Sequence, residues 1–133
     1  MRFVLDASVA ITWAMGDENH PIADIAFQRI QTDSAVVPAI WWYEIRNILL
    51  VNERRSRISS DDAARFLLDL AGFDIEVRPL ENGQRTIDLA RQHNLSVYDA
   101  AYLALAIEQN LPIATLDEVL RSAAVSMNVP ALS

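Results

Sequence analysis

Short, continuously apolar runs alternate along this chain with stretches of helical periodicity. Phe3-Val4-Leu5 reads as a strand ended by Asp6, and Ala7 to Met15 as a short helix. Gly16-Asp17-Glu18-Asn19 is a loop, and Pro21 suits the first turn of a helix that Ile22, Ile25, Ala26 and Ile30 carry to about Gln31. Ala35-Val36-Val37 is a second strand stopped by Pro38. A long helix follows from Ala39 to about Arg57, with Trp41, Ile45, Ile48, Leu49 and Asn52 along one side. Arg54, Arg55 and Arg57 near its end offset the helix dipole. Ser59-Ser60-Asp61-Asp62 opens the next helix as a Ser-x-x-Asp box, and Gly72 closes it. Ile75-Glu76-Val77 is a third strand. Asn82 to about His93 is helical, a second helix begins at Ser96, and Pro112 to Thr115 is a fourth strand. Asp117 to Ala124 is a short helix and Val125 to Val129 a fifth, edge strand. Alternation of short apolar strands with helices predicts an α/β fold, a three-layer α/β/α sandwich around a mostly parallel sheet of four to five strands.

Against this pattern a few acids fall where acids are costly. From Val97 to Ile107 only Asp99 is charged, on a helix rich enough in Ala and Leu to pack on most sides. An ionised Asp there costs several kcal/mol unless something pairs with it. One account is a capping box with Ser96; the other is function. Asp6 ends the first strand and Asp117 follows the fourth, and active sites of open parallel sheets lie beyond such strand ends. Either could instead serve a helix N-terminus: Asp6 as a cap, Asp117 exposed beside a Thr115–Glu118 box. Glu44 has Ile40, Trp41, Ile45 and Ile48 as helical neighbours, which puts it on the buried side with Asn47 at i+3.

Clustering Asp6, Glu44, Asp99 and Asp117 is unfavourable, by ~4 kcal/mol for a pair about 4 Å apart at an effective dielectric of about 20. A divalent cation resolves the conflict, and all-oxygen ligands favour Mg²⁺ or Mn²⁺ over zinc. The chain has no Cys, and His20 and His93 read as surface residues away from these positions. The chemistry left is metal-assisted attack of water on a phosphodiester.

Composition narrows the setting. The 133 residues make one domain, 52% hydrophobic with 3 Gly and 5 Pro, and the absence of Cys fits a reducing cytoplasm. Asp6 interrupts what would otherwise resemble a signal-peptide core, and no uncharged apolar run reaches the roughly 18 residues of a membrane span. The net charge of −7 argues against broad duplex binding; all 11 basic residues are Arg, which does not argue against nucleic acid, and any such contact should be local. Trp41, Trp42 and Tyr43 are consecutive, so one helix cannot bury all three. The surplus aromatics are available to a dimer mate or another protein partner.

Four stretches together resemble a known family. Val4-Leu5-Asp6-Ala7-Ser8, Glu44-Ile45-x-Asn47-x-Leu49, Tyr98-Asp99-Ala100-Ala101-Tyr102-Leu103-Ala104-Leu105-Ala106 and Ala114-Thr115-Leu116-Asp117 look like PIN-domain nucleases, and within these like VapC toxins of toxin–antitoxin pairs. The resemblance spans essentially the whole chain. It implies a sheet in the order 3-2-1-4-5 and an Mg²⁺- or Mn²⁺-dependent endoribonuclease, usually dimeric and held inactive by a VapB-type antitoxin. Carried over residue by residue, it makes Asp6 and Asp99 metal ligands, with Glu44 completing the shell or orienting water. Asp117 matches the family's most variable acid. Ser8 and Thr115 match supporting hydroxyls, and Asn47 a supporting amide.

Other functions fit less well. A phosphorelay receiver needs a Lys, and the chain has none; a haloacid-dehalogenase-type phosphatase needs Asp-x-Asp, where this chain has Asp6-Ala7-Ser8. The remaining alternative is a non-catalytic PIN-like interaction module.

Overall fold

The strand Phe3–Leu5 (β1) contains no polar residue and exposes none, and the remaining strands are laid out to either side of it. In the computed structural model, which describes residues 1–16, 20–79 and 82–133, β1 pairs with β2 (Ala35–Pro38) on one side and β4 (Ile113–Ala114) on the other. β3 (Ile75–Arg78) lies outside β2, giving an all-parallel sheet in the order β3-β2-β1-β4. β1, β2 and β4 are buried at every position, which requires cover on both faces of the sheet. β3, at the edge, is buried at none.

The helices follow their sequence signals closely where a cap is present. Pro21 opens α3 (Pro21–Ile30), and α4 (Ile40–Arg54) follows β2 directly. The Ser59 hydroxyl caps α5 (Ser60–Ala71) by accepting from the Asp62 amide, and Asn82 caps α6 (Gly83–His93) by accepting from Arg85. Ser96 caps α7 (Val97–Gln109), which ends at Asn110 in the left-handed conformation, φ 54°. α7 is the core helix: Ala100 to Ala106 are all buried, and its small residues let it lie close against β1 and β2.

Elsewhere the structure corrects the sequence. The helix expected over Ala7–Met15 is two, α1 (Ala7–Ala10) and α2 (Thr12–Met15), because the Thr12 hydroxyl donates to the Val9 carbonyl and draws the chain into a tighter turn at Ile11. Gly16, at φ 68°, then ends α2, and the expected loop beyond it falls outside the described residues at 17–19. The long helix stops at Arg54 rather than Arg57. The fifth strand, Val125–Val129, is absent: Val125 and Ser126 complete α8 (Glu118–Ser126). Asn128 then turns the chain at φ 61° while the Val129 amide bonds back to the Ala124 carbonyl, a helix C-terminal motif that outcompetes the alternating apolar pattern. A single bridge between Ile113 and Ala131 stands where that edge strand would have been. No helix among the described residues is long and apolar enough to cross a membrane.

A crossover to opposite sides of β1 occurs between β3 and β4. The ends of β1 and β4 therefore flank the point where strand order reverses, the place at which open α/β sheets form their crevice.

Candidate active site

Asp6 is the first residue beyond β1 and is 5% exposed. Although it stands at the N-cap position of α1, its side chain makes no capping bond. Its Oδ2 accepts instead from Ser8 Oγ and from Thr115 Oγ1, each at 2.7 Å. Each hydroxyl is itself held by a backbone amide beyond β4: Leu116 N donates to Ser8 Oγ, and Asp117 N donates to Thr115 Oγ1, both at 3.0 Å. With an oxygen lone pair occupied in this way, each O–H is aimed at Asp6. The ends of β1 and β4 are thus joined through one carboxylate.

Glu44 stands in the second turn of α4, half-buried, and accepts from the Tyr102 hydroxyl of α7 at 2.6 Å. Asp99 lies in the first turn of α7, where Ser96 Oγ accepts its backbone amide at 3.0 Å, the serine half of the expected capping box. Asp117 is itself the N-cap of α8, its Oδ1 accepting from Val119 N and Leu120 N; no Thr115–Glu118 box forms, and Glu118 pairs with Arg121. Asn47 is exposed on α4 and bonds none of the four acids.

The electrostatics couple these groups. Burial pushes the Asp6 carboxyl above its ordinary range; the Thr115 and Ser8 hydroxyls oppose that shift, and the charge of Asp99 adds to it. Glu44 is raised by burial, lowered by the Tyr102 bond, and raised again by Asp6 and Asp99. Asp99 is raised by burial and then by Asp117, with Ser96 opposing. Tyr102 is raised strongly by burial, with Asp6 and Glu44 adding to it, so its hydroxyl stays protonated and remains a donor. Among the described residues no salt bridge neutralises any of the four acids. Like charges facing one another without a cation are the arrangement a bound divalent ion relieves.

Among the described residues no group of three or more His, Cys, Asp or Glu side chains is placed to hold a metal ion as it stands. The oxygen-only donor set of the four acids is the kind that hard cations such as Mg²⁺ and Mn²⁺ take. The donors are all hard oxygens. His20 and His93 are half-buried rather than on the surface, and neither contributes to the site.

The family model described as PIN domain matches residues 3–126. The chain belongs to the PIN domain family. Ribonuclease VapC3 of Pyrobaculum aerophilum is 31% identical over 123 residues, spanning 90% of this chain and 92% of that protein. Among solved structures, a Pyrobaculum aerophilum protein superposes with a TM-score of 0.72 at 21% identity, covering 92% of this PIN domain and 79% of that chain. A toxin–antitoxin complex from Klebsiella pneumoniae gives 0.57 at 17% identity, over 84% and 82%. A PilT N-terminus domain protein from Sulfolobus solfataricus gives 0.52 at 18%, over 98% and 85%. At those identities the three structures establish a shared fold.

Two further residues of this PIN domain bond to this cluster. Tyr102 donates to Glu44, and its sequence signal was its place at i+3 from Asp99 on an otherwise apolar helix. Arg121 donates to the Thr115 carbonyl at 3.0 Å and steadies the β4 end; its sequence position, i+4 from Asp117, gave little warning. Of the aromatic triplet, Trp41 is buried, while Trp42 and Tyr43 are 46% and 64% exposed.

Proposed function

We propose that this PIN domain is an endoribonuclease that hydrolyses RNA phosphodiesters at the crevice of Asp6, Glu44, Asp99 and Asp117, and that it is the toxin of a toxin–antitoxin pair. The observation that carries the reading is Asp6, a buried carboxylate held by two aimed hydroxyls, facing other acids with no cation paired to it. The kinship with Ribonuclease VapC3 supports the ribonuclease class, and the fold shared with a toxin–antitoxin complex supports an antitoxin as partner.

Asp6 and Asp99 would hold one or two Mg²⁺ or Mn²⁺ ions, with Glu44 and Asp117 completing the set, directly or through water. Such an ion, when bound, lowers the pKa of water and offsets charge on the scissile phosphate. The chain's own groups do the rest. Ser8 and Thr115 keep the Asp6 carboxylate pointed into the crevice. Tyr102 fixes Glu44, whose raised proton affinity suits it to accept a proton from the attacking water. In-line attack then expels the 3′ oxygen and leaves a 5′ phosphate on the downstream product.

An exposed apolar surface supports the protein partner. Trp13, Phe27 and Phe73 meet edge to face at 5.4 to 6.2 Å between α2, α3 and the end of α5, with Phe27 and Leu68 43% and 74% exposed. A homodimer is the expected assembly.

The test is incubation of purified protein with 3′-labelled single-stranded RNA in Mn²⁺, in Mg²⁺ and in EDTA. The reading expects 5′-phosphate products with either ion and none in EDTA. A protein that cuts nothing and takes up no Mn²⁺ in titration would instead be a non-catalytic interaction module.

A further inference from the structure

Beside the edge strand β3 lies a cavity of about 220 Å³ that shares no residue with the carboxylate crevice. Its walls come from α4, from α5 and the residues just past its end, and from β3. The polar side chains in the wall are Trp41, Trp42 and Arg46. The remainder is apolar, with Phe73, Ile75 and Val77 on the strand side. Indole and guanidinium groups only donate, so the side chains of this cavity offer hydrogen-bond donors and no acceptor.

Two of those donors lack a match. Trp41 is 5% exposed, and its indole Nε1 is buried with no hydrogen-bond partner. Leaving a buried donor unpaired is costly, and such groups are rare unless something is there to receive them. Arg46 is held in place: its guanidinium lies 3.6 Å from the Trp42 ring centroid and donates to the Trp42 carbonyl at 3.1 Å. Although the chain has 18 acids, among the described residues no carboxylate pairs with Arg46. Burial pushes its pKa down, with no acid nearby to oppose the shift.

These features select the chemistry of a ligand. A metal ion needs acceptors, which no side chain of the wall supplies. Water or inorganic phosphate would answer the donors and leave the apolar wall without a partner. A carboxylate matches a guanidinium and an indole N–H, and a hydrocarbon body matches the rest. An apolar cavity of about 150 Å³ takes up benzene, so this one has room for a ring or branched chain with a carboxylate attached.

We propose that this cavity is a binding site for a small apolar carboxylic acid. Its carboxylate pairs with Arg46 and accepts from the Trp41 indole, and its hydrocarbon part packs against Phe73, Ile75 and Val77. The site is independent of the ribonuclease reading.

The experiment is a titration of the ¹⁵N-labelled full chain with phenylacetate, followed at the indole N–H cross-peaks of its three tryptophans. Loss of one peak in W41F assigns Trp41. Two control ligands divide the probe: 2-phenylethanol keeps the ring without the charge, and acetate keeps the charge without the ring. Phenylacetate is expected to move the Trp41 peak downfield and saturably, and to leave the peak of Trp13, which is not in the wall, in place. R46M is expected to bind about 10- to 150-fold more weakly, and W41F about 2- to 12-fold. A Trp41 peak that stays in place up to about 10 mM phenylacetate overturns the inference. So does wild-type affinity in R46M or W41F, and so does either control ligand binding as tightly as phenylacetate. If W41F does not fold, W13F and W42F assign the peak by elimination and R46M carries the affinity test. RNA cleavage by a protein that ignores phenylacetate sinks only this inference; phenylacetate binding by a protein that cuts no RNA sinks only the ribonuclease reading.

Discussion

The Tyr102 hydroxyl donates to Glu44 Oε1 at 2.6 Å, tying helices α7 and α4 together across 58 residues of sequence. Tyr102 is wholly buried and Glu44 half-buried, so this one bond sets the direction in which Glu44 faces. Removing it in Tyr102→Phe leaves the ring to pack and takes only the donor. Stability should fall by about 1 to 3 kcal/mol, since a partly buried carboxylate loses its partner. The sharper readout is the pH profile. The Tyr102 bond lowers the Glu44 pKa, so its loss lets that pKa rise further, and the acidic limb of kcat should move to higher pH. A profile that keeps its limb in place would show that Glu44 does not depend on Tyr102.

Asp6, Glu44 and Asp99 all have carboxyl pKa values raised by folding. A raised acid binds its proton more tightly in the folded state, so its protonated form is favoured there. In the metal-free protein these three groups therefore contribute stability that is fully present below their unfolded values of about 4 and is lost as pH rises through the folded ones. Thermal melts in EDTA across pH 4 to 8 check the sign. Asp6→Asn and Asp99→Asn should flatten the curve and raise Tm at neutral pH. Divalent cation reverses the penalty: wild-type protein at about 100 times the Kd of Mn²⁺ should gain about 2.7 kcal/mol, and Asp6→Asn much less.

Ser8 and Thr115 each give Asp6 one hydrogen bond at 2.7 Å and each accept one backbone amide. Ser8→Ala and Thr115→Val should weaken Mn²⁺ affinity by about 10- to 100-fold while the protein stays folded. Calorimetric titration with Mn²⁺ measures the effect. Because both hydroxyls act on one oxygen, the double variant should lose less than the product of the two single losses.

Much of this was legible from residue order alone. Continuous apolar runs such as Phe3-Val4-Leu5 and Ala35-Val36-Val37 specify parallel strands because both sheet faces are covered, and the capping serines at 59 and 96 mark helix starts in a way that tertiary packing did not override. The C-terminal segment was not legible. Val125 to Val129 alternates like a strand, but α8 continues into it as far as Ser126, and Asn128 supplies the left-handed turn beyond. At the site, strand-end position located Asp6 and Asp117, and apolar surroundings marked Glu44 and Asp99. Their interplay was hidden. Nothing in the local pattern says that Asp117 spends Oδ1 on capping α8, or that Tyr102 reaches Glu44, because both depend on how distant helices meet.

The central claim is that carboxylates from separate elements share one cation-dependent task. It is tested most directly by single-turnover cleavage of 5′-labelled single-stranded RNA in Mn²⁺ by the wild-type protein and by Asp99→Asn, with folding of both confirmed by circular dichroism. Asp99 lies in the first turn of α7 and Ser96 retains the cap, so the variant keeps its helix. The account predicts a rate at least about 100-fold lower for Asp99→Asn. Cleavage by Asp99→Asn at the wild-type rate would contradict it.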